Sequence, residues 1–343
     1  INEFLHGAFE QITHIILTGA GTSAFIGLSL QGVFQKNTGI ISTAISTTDI
    51  VSHPQHYFSN SQIPLIISFA RSGNSPESCA ALELADKFSR KCFHLIITCD
   101  TDGALANYTS PNPVNVFTLP PDTNDKSLAM TGSYTSMLLT GLLTAYRNQQ
   151  EFCKQQIENI CNAAENILKH HANQLQHIAD KNFRRAVFLG SGPLLGTATE
   201  AALKLQELTD GQIICKADSY LGFRHGPKAV IDETTLVVYF FSNNEYVQQY
   251  ETDLVHSMKK GNSAMFQLGI SEQALQHIYT DEQVIFAPGH FISEDFLPVC
   301  SVLPAQLLGF YKSLQLGLMP DAPSVSGAIS RVVQGVHIYP VEI

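Results

Sequence analysis

Short apolar runs alternate with longer amphipathic stretches along nearly the whole chain, and this alternation restricts the fold more than any other feature. In the first half the runs HIILTG, ISTAIS, PLIISFA, FHLIITC and VNVFTL are separated by helical patterns, among them Leu28 to Phe34 and Ala80 to Phe88. A strand that reaches its neighbour through a helix must lie parallel to it, so the pattern predicts parallel sheets covered by helices on both faces. After Ser133 a long helical region is predicted to reach about Gln176. The pattern then restarts with AVFLGSG, a helix at Thr197 to Leu208, the strands QIICK, TTLVVYFFS, SAMFQLG and QVIFAPG, and a helix after Asn244. Gly190-Ser191-Gly192 repeats the setting of Gly19-Ala20-Gly21, each triplet directly following an apolar run, so one unit reads as being used twice. The expected fold is α/β: two tandem doubly wound modules, each a parallel sheet flanked by helices on both faces. Residues 1–180 form the first with a helical bridge; residues 181–343 form the second, with a final helix around Leu303 to Leu316 and a closing tail. A chain of 343 residues, 44% hydrophobic, can bury two such cores.

Charge and cysteine usage remove several classes of function. Lys and Arg total 20 against 30 Asp and Glu, a net charge of −10, so no broad electrostatic footprint for nucleic acid is expected and an anionic ligand needs a local site. The seven cysteines form no C-x-x-C pair and read as reduced thiols. No apolar run is long enough to span a bilayer, and INEFLHGAFEQ lacks the zones of a signal peptide, so a cytoplasmic protein that binds no membrane is expected. That first segment reads as part of a helix, with Phe4, Leu5, Ala8 and Phe9 on one face.

Two loops of the first half carry the chemistry of anion binding. Gly19 to Ala24 follows a strand and opens a helix, where unpaired N–H groups and the helix dipole favour a phosphate, with Gly21, Thr22 and Ser23 as the candidates. It also fits the dinucleotide fingerprint, but no acidic residue stands about 20 positions on, and Asp49 comes later. The second loop, Ser68 to Ser78, presents Arg71, Ser72, Gly73, Asn74 and Ser75 before Pro76, which suits the first position of a helix with Ser75 as its N-cap. Taken alone it equally fits an ordinary capped turn. Two such loops at the carboxyl ends of neighbouring strands favour a phosphate.

The second half carries the reactive groups. In TATEAALKLQELTDG, Lys204 and Glu207 are three residues apart and share a helix face with Glu200, which a surface ion pair would also explain. Phe223-Arg224-His225-Gly226-Pro227 places a histidine in a turn. Aldose–ketose interconversion needs a base to carry a proton between C1 and C2 and an acid to open the ring, roles open to Glu207 and His225. No convincing metal-ligand set is seen: His53-x-x-His56 and His170-His171 lack an Asp or Cys at metal spacing.

The strings GAGTS, ARSGNS, EAALKLQE and FRHGP, in this order, resemble the sugar isomerase (SIS) family, including the isomerase part of glucosamine-6-phosphate synthase. PPDTNDKSLAMT and the tail PSVSGAISRVVQGVHIYPV are most similar to the bacterial galactosamine-6-phosphate deaminase/isomerase group, once called tagatose-6-phosphate ketose/aldose isomerases. The resemblance covers nearly the whole chain. It implies that Ser23, Ser72 and Ser75 hold a phosphate, that Glu207 moves the proton with Lys204 beside it, and that His225 opens the ring, arriving from a neighbouring subunit. Thr131 and Ser127 are expected to border the sugar. Arg71 and Ala70 stand where the synthase motif has glutamine and serine, the interval from Glu207 to His225 is longer than the synthase's by two residues, and Arg331 to Val336 lacks the synthase's terminal lysine. What the resemblance implies is a hexosamine 6-phosphate deaminase/isomerase, active as a homodimer or larger homo-oligomer without a cofactor. Two other readings stay open: an aldose–ketose isomerase that releases no nitrogen, and a sugar-phosphate sensor without catalysis.

Overall fold

The computed structural model describes residues 1–276, 278–333 and 335–341. The chain divides into two compact units. One comprises residues 1–126, 130–148 and the tail from Ser330; the other comprises residues 127–129 and 149–329.

The first unit holds a five-stranded parallel sheet of β1 (His14–Thr18), β2 (Ser42–Ala44), β3 (Pro64–Ala70), β4 (Phe93–Thr98) and β5 (Val114–Thr118) in the order β2-β1-β3-β4-β5. β3 and β4 are buried at every residue, as expected of central strands with helices on both faces. β5, at the sheet edge, is only partly covered. Strand order reverses between β1 and β3, so the loops leaving their carboxyl ends diverge and open a crevice. The helices Thr22–Thr38 and Pro76–Phe88 begin at that crevice.

The second unit repeats the plan with β6 (Arg185–Leu189), β7 (Ile214–Asp218), β8 (Thr235–Phe240), β9 (Phe266–Ser271) and β10 (Glu282–Ile285), all parallel and ordered β7-β6-β8-β9-β10. Its switch point lies between β6 and β8, with the helices Pro193–Leu208 and Glu245–Met258 starting beside it. The helix Leu303–Gln315 packs on the helix Pro193–Leu208 and on Ala172–Ala179. A Cβ at Gly309 would stand 2.8 Å from Leu208 Cδ1, so a larger residue there would have to push the end of the Leu208 side chain aside.

The expected pair of parallel doubly wound sheets is what the chain forms. The expected division after residue 180 is not where the units part, because residues 149–180 belong to the second unit and the tail from Ser330 to the first. One element also differs. The helical region predicted from Ser133 to about Gln176 is broken into Gly132–Ala145, Gln150–Asn166, a π-helical turn at Ile167–His171, and Ala172–Ala179. The first piece buries Tyr134, Met137, Leu138 and Leu142 against the first unit's core, where it contacts the helix Thr22–Thr38. The second is amphipathic and contributes Cys153, Ile160 and Ala163 to the second unit. The two helices belong to different units, and the polar stretch Arg147-Asn148-Gln149 lies at the break. Among the described residues no helix is long and apolar enough to cross a membrane.

Candidate functional site

The first unit forms a cleft from two loops and the tail. After β1 the backbone turns through Gly21 at φ 54° and ψ −127°, a conformation reserved for glycine, and Ser23 is left buried in the first turn of the helix. After β3 the loop passes through Gly73 at φ 65° into the helix that Pro76 begins. Ser75 occupies the N-cap position as expected, but its hydroxyl pairs with that of Ser78 instead of capping the helix. The cleft is lined by Ala20, Ser23, Arg71, Ser72, Gly73, Ser75, Ser78, Met130, Arg331 and Val332, among others. Hydroxyls, a buried guanidinium and two helix N-termini therefore converge on this cleft, the kinds of group that can hold an anion.

Of the candidates named from sequence for this cleft, Ser23, Arg71, Ser72, Gly73 and Ser75 come together at its wall. Gly21 and Thr22 shape the loop behind it. Asn74 turns away, accepting a hydrogen bond from the Ala104 backbone N–H at 2.9 Å, and so braces the neighbouring loop. Arg71 is only 7% exposed, and its Nη2 donates to the Arg331 carbonyl at 2.6 Å, so it also holds the tail across the cleft. The Arg331 guanidinium donates in turn to Asn124 Oδ1 and the Asp125 carbonyl. Sequence reasoning missed Ser78 and Arg331. Ser78, one helical turn after Ser75, carried a readable signal; Arg331 did not.

Asp125 organises the start of the helix Gly132–Ala145. It accepts from the backbone N–H groups of Thr131, Gly132 and Ser133 and from the hydroxyls of Thr131 and Ser133. Burial pushes the Asp125 carboxyl up, but the hydrogen bonds from Ser133 and Thr131 outweigh it and hold it below the usual carboxylate range. The Thr131 hydroxyl is thus engaged by Asp125, and the Ser127 hydroxyl donates to the Ala129 carbonyl.

The second unit carries a buried ionic triad on the helix Pro193–Leu208. Lys204 pairs with the Glu207 carboxylate and lies 3.4 Å from that of Glu200. The side chains of Lys204 and Glu200 are 1% and 0% exposed, whereas that of Glu207 is 22% exposed. A surface ion pair is therefore the wrong description: the lysine is desolvated between two carboxylates, and Glu207 is the member that reaches the surface. His225 follows the short helix Tyr220–Phe223, whose Tyr220 and Phe223 are fully buried. Its turn ends at Gly226, φ 119°, and the imidazole is exposed.

A second cluster, unforeseen from sequence, joins Asp86, Cys92 and His94 at the amino end of β4, opposite the cleft. The Asp86 carboxylate accepts from Tyr108, Ser110, Asn112, His94 and Cys92. Burial, with Asp86 beside it, pushes the Cys92 thiol far up, which keeps it protonated and makes the group a hydrogen-bonded hub.

The SIS domain family matches residues 8–147. A D-galactosamine-6-phosphate deaminase of Shewanella is 43% identical over 330 residues, covering 95% of this chain and 81% of the relative. The crystal structure of the Escherichia coli tagatose-6-phosphate ketose/aldose isomerase is similar at a TM-score of 0.89 and 36% identity, covering 100% of this chain and 90% of that one. A Clostridium novyi protein described as a candidate enzyme of the same name gives a TM-score of 0.95 at 39% identity, with coverage of 99% and 88%.

Proposed function

Because the chain belongs to the SIS-domain family that contains the bacterial D-galactosamine-6-phosphate deaminases, we propose that it converts D-galactosamine 6-phosphate to D-tagatose 6-phosphate and ammonia. The phosphate is held by Ser23, Ser72 and Ser75, with the amino ends of two helices offsetting its charge. His225 acts as the acid that opens the sugar ring. Glu207 then removes the proton from C2 and returns it to C1, while the C1 oxygen gains a proton and the C2 nitrogen gives one up, leaving a hydroxyl at C1 and an imine at C2. Water adds to that imine, and its collapse leaves the ketone and releases ammonia.

The observation that carries this reading is the desolvated triad, in which Lys204 is shared by two carboxylates and only Glu207 is open to a ligand. Lys204 steadies the carboxylate between proton removal and return. His225, on an exposed turn, suits a site in a neighbouring copy of the chain, so the active form is a homo-oligomer. The experiment is an assay of ammonia release from galactosamine 6-phosphate and glucosamine 6-phosphate, with Glu207→Gln as control. Ammonia from the galacto substrate, lost in the variant while sugar-phosphate binding survives, is the expected result. Ketose formed from an aldose phosphate, with no ammonia from either amino sugar, would instead favour simple isomerisation, which the name of the Escherichia coli structure supports.

A further inference from the structure

The second unit has its own crevice between the loops after β6 and β8, at the place where the first unit has its cleft. Gly192 turns the first of these loops at φ 53° and ψ −126°, nearly the values of Gly21. The second loop, Ser242 to Asn244, leads into the helix Glu245–Met258. Both loops therefore have the form that elsewhere receives a phosphate, yet the donors they present are already taken. Glu251, on the second turn of that helix and fully buried, accepts from the Ser242 backbone N–H at 3.0 Å, and the Ser191 side chain stands near enough to favour its ionised form. The Ser242 hydroxyl donates to the carboxylate of Glu294, and the Asn244 side-chain amide approaches the same group at 3.4 Å. Asn243 donates to Glu272.

We propose that the Glu251 carboxyl group is an internal plug: it fills the second unit's anion cradle, spanning the Ser191 and Ser242 loops, and so limits each chain to one phosphate-bearing ligand. The carboxyl is a planar stand-in for part of a phosphate, tethered by its own helix so that it competes as an intramolecular ligand. Its fit is imperfect, since Glu251 Oε1 is buried without a hydrogen-bond partner. A tetrahedral anion would use the donors more fully once the side chain is removed. The proposal is independent of which sugar the first unit takes.

Equilibrium dialysis of the full chain against inorganic phosphate tests it. The wild-type protein is expected to saturate at one phosphate per chain and Glu251→Ala at two, with Glu251→Ser serving if the alanine variant does not fold and Glu251→Gln staying at one. A folded Glu251→Ala or Glu251→Ser protein that binds no more phosphate than the wild type would overturn the proposal. So would a wild-type crystal structure with phosphate between Ser191 and Ser242, whatever the variants do. A wild type that binds none beside a Glu251→Ala protein that binds one would sustain the plug while removing the first-unit phosphate site.

Discussion

The two units share a strand order and a loop geometry but differ in the side chains their loops present at the switch point. After the glycine at φ 54° the first unit places Thr22 and Ser23; after the glycine at φ 53° the second places Pro193 and Leu194. Ser23 offers a hydroxyl at the cleft, whereas Leu194 is buried in the core. In the other loop, Ser72 and Ser75 face the first unit's cleft, while their counterpart region in the second unit spends Ser242 on the chain's own acids. On the proposed reading one scaffold supports two tasks, the first unit gripping the phosphate and the second carrying the reacting helix.

Substitutions in the second unit should strike turnover and stability. Glu207→Gln is expected to lower kcat about 10²–10⁴-fold with KM little changed, as loss of a positioned general base does; steady-state kinetics checks this. Lys204→Met leaves Glu200 buried beside Glu207 with no cation between them, and denaturant unfolding should show a loss of about 3–5 kcal/mol. Glu251 sets a pH dependence. Burial foremost, with the neighbouring Glu294, raises its carboxyl to about 8. The unfolded chain ionises this group near its ordinary 4.5, so folding stability is full below that pH and falls as pH rises toward 8. Glu251→Gln should remove this slope, gaining on the wild type by up to about 1.4 kcal/mol per pH unit between pH 5 and 8 in thermal or urea melts.

Substitutions in the first unit should strike binding. Ser72→Ala and Ser75→Ala are each expected to raise KM about tenfold, the worth of one hydrogen bond to a charged group, with kcat held. Ser191→Ala in the second unit should leave KM unchanged, and an equal effect there would break the comparison. The smallest contrast is between glycines: Gly21→Ala and Gly192→Ala should each cost about 1–3 kcal/mol of stability through backbone strain, but only the former should also weaken substrate binding.

Much of this was legible in the sequence, for reasons tied to particular residues. The continuous apolar runs PLIISFA and FHLIIT announce strands buried on both faces, and the repeated glycine turns announce a helix following each first strand. Spacing alone put Lys204, Glu207 and Glu200 on one helix face. Spacing could not reveal that Lys204 is desolvated, because burial of a charge depends on what the rest of the chain packs around it. The Arg71 contact with the Arg331 carbonyl joins residues 260 positions apart and leaves no local mark. The break before Gln150 was hidden because polar residues suit an exposed helix face as well as a turn.

The division of labour between the units is tested most directly by a crystal structure of the Glu207→Gln protein with galactosamine 6-phosphate. The phosphate should lie within hydrogen-bond distance of Ser23, Ser72 and Ser75, and C2 of the sugar should face residue 207. A phosphate held away from those serines, or a C2 out of reach of residue 207 in every copy of the assembly, would contradict the account.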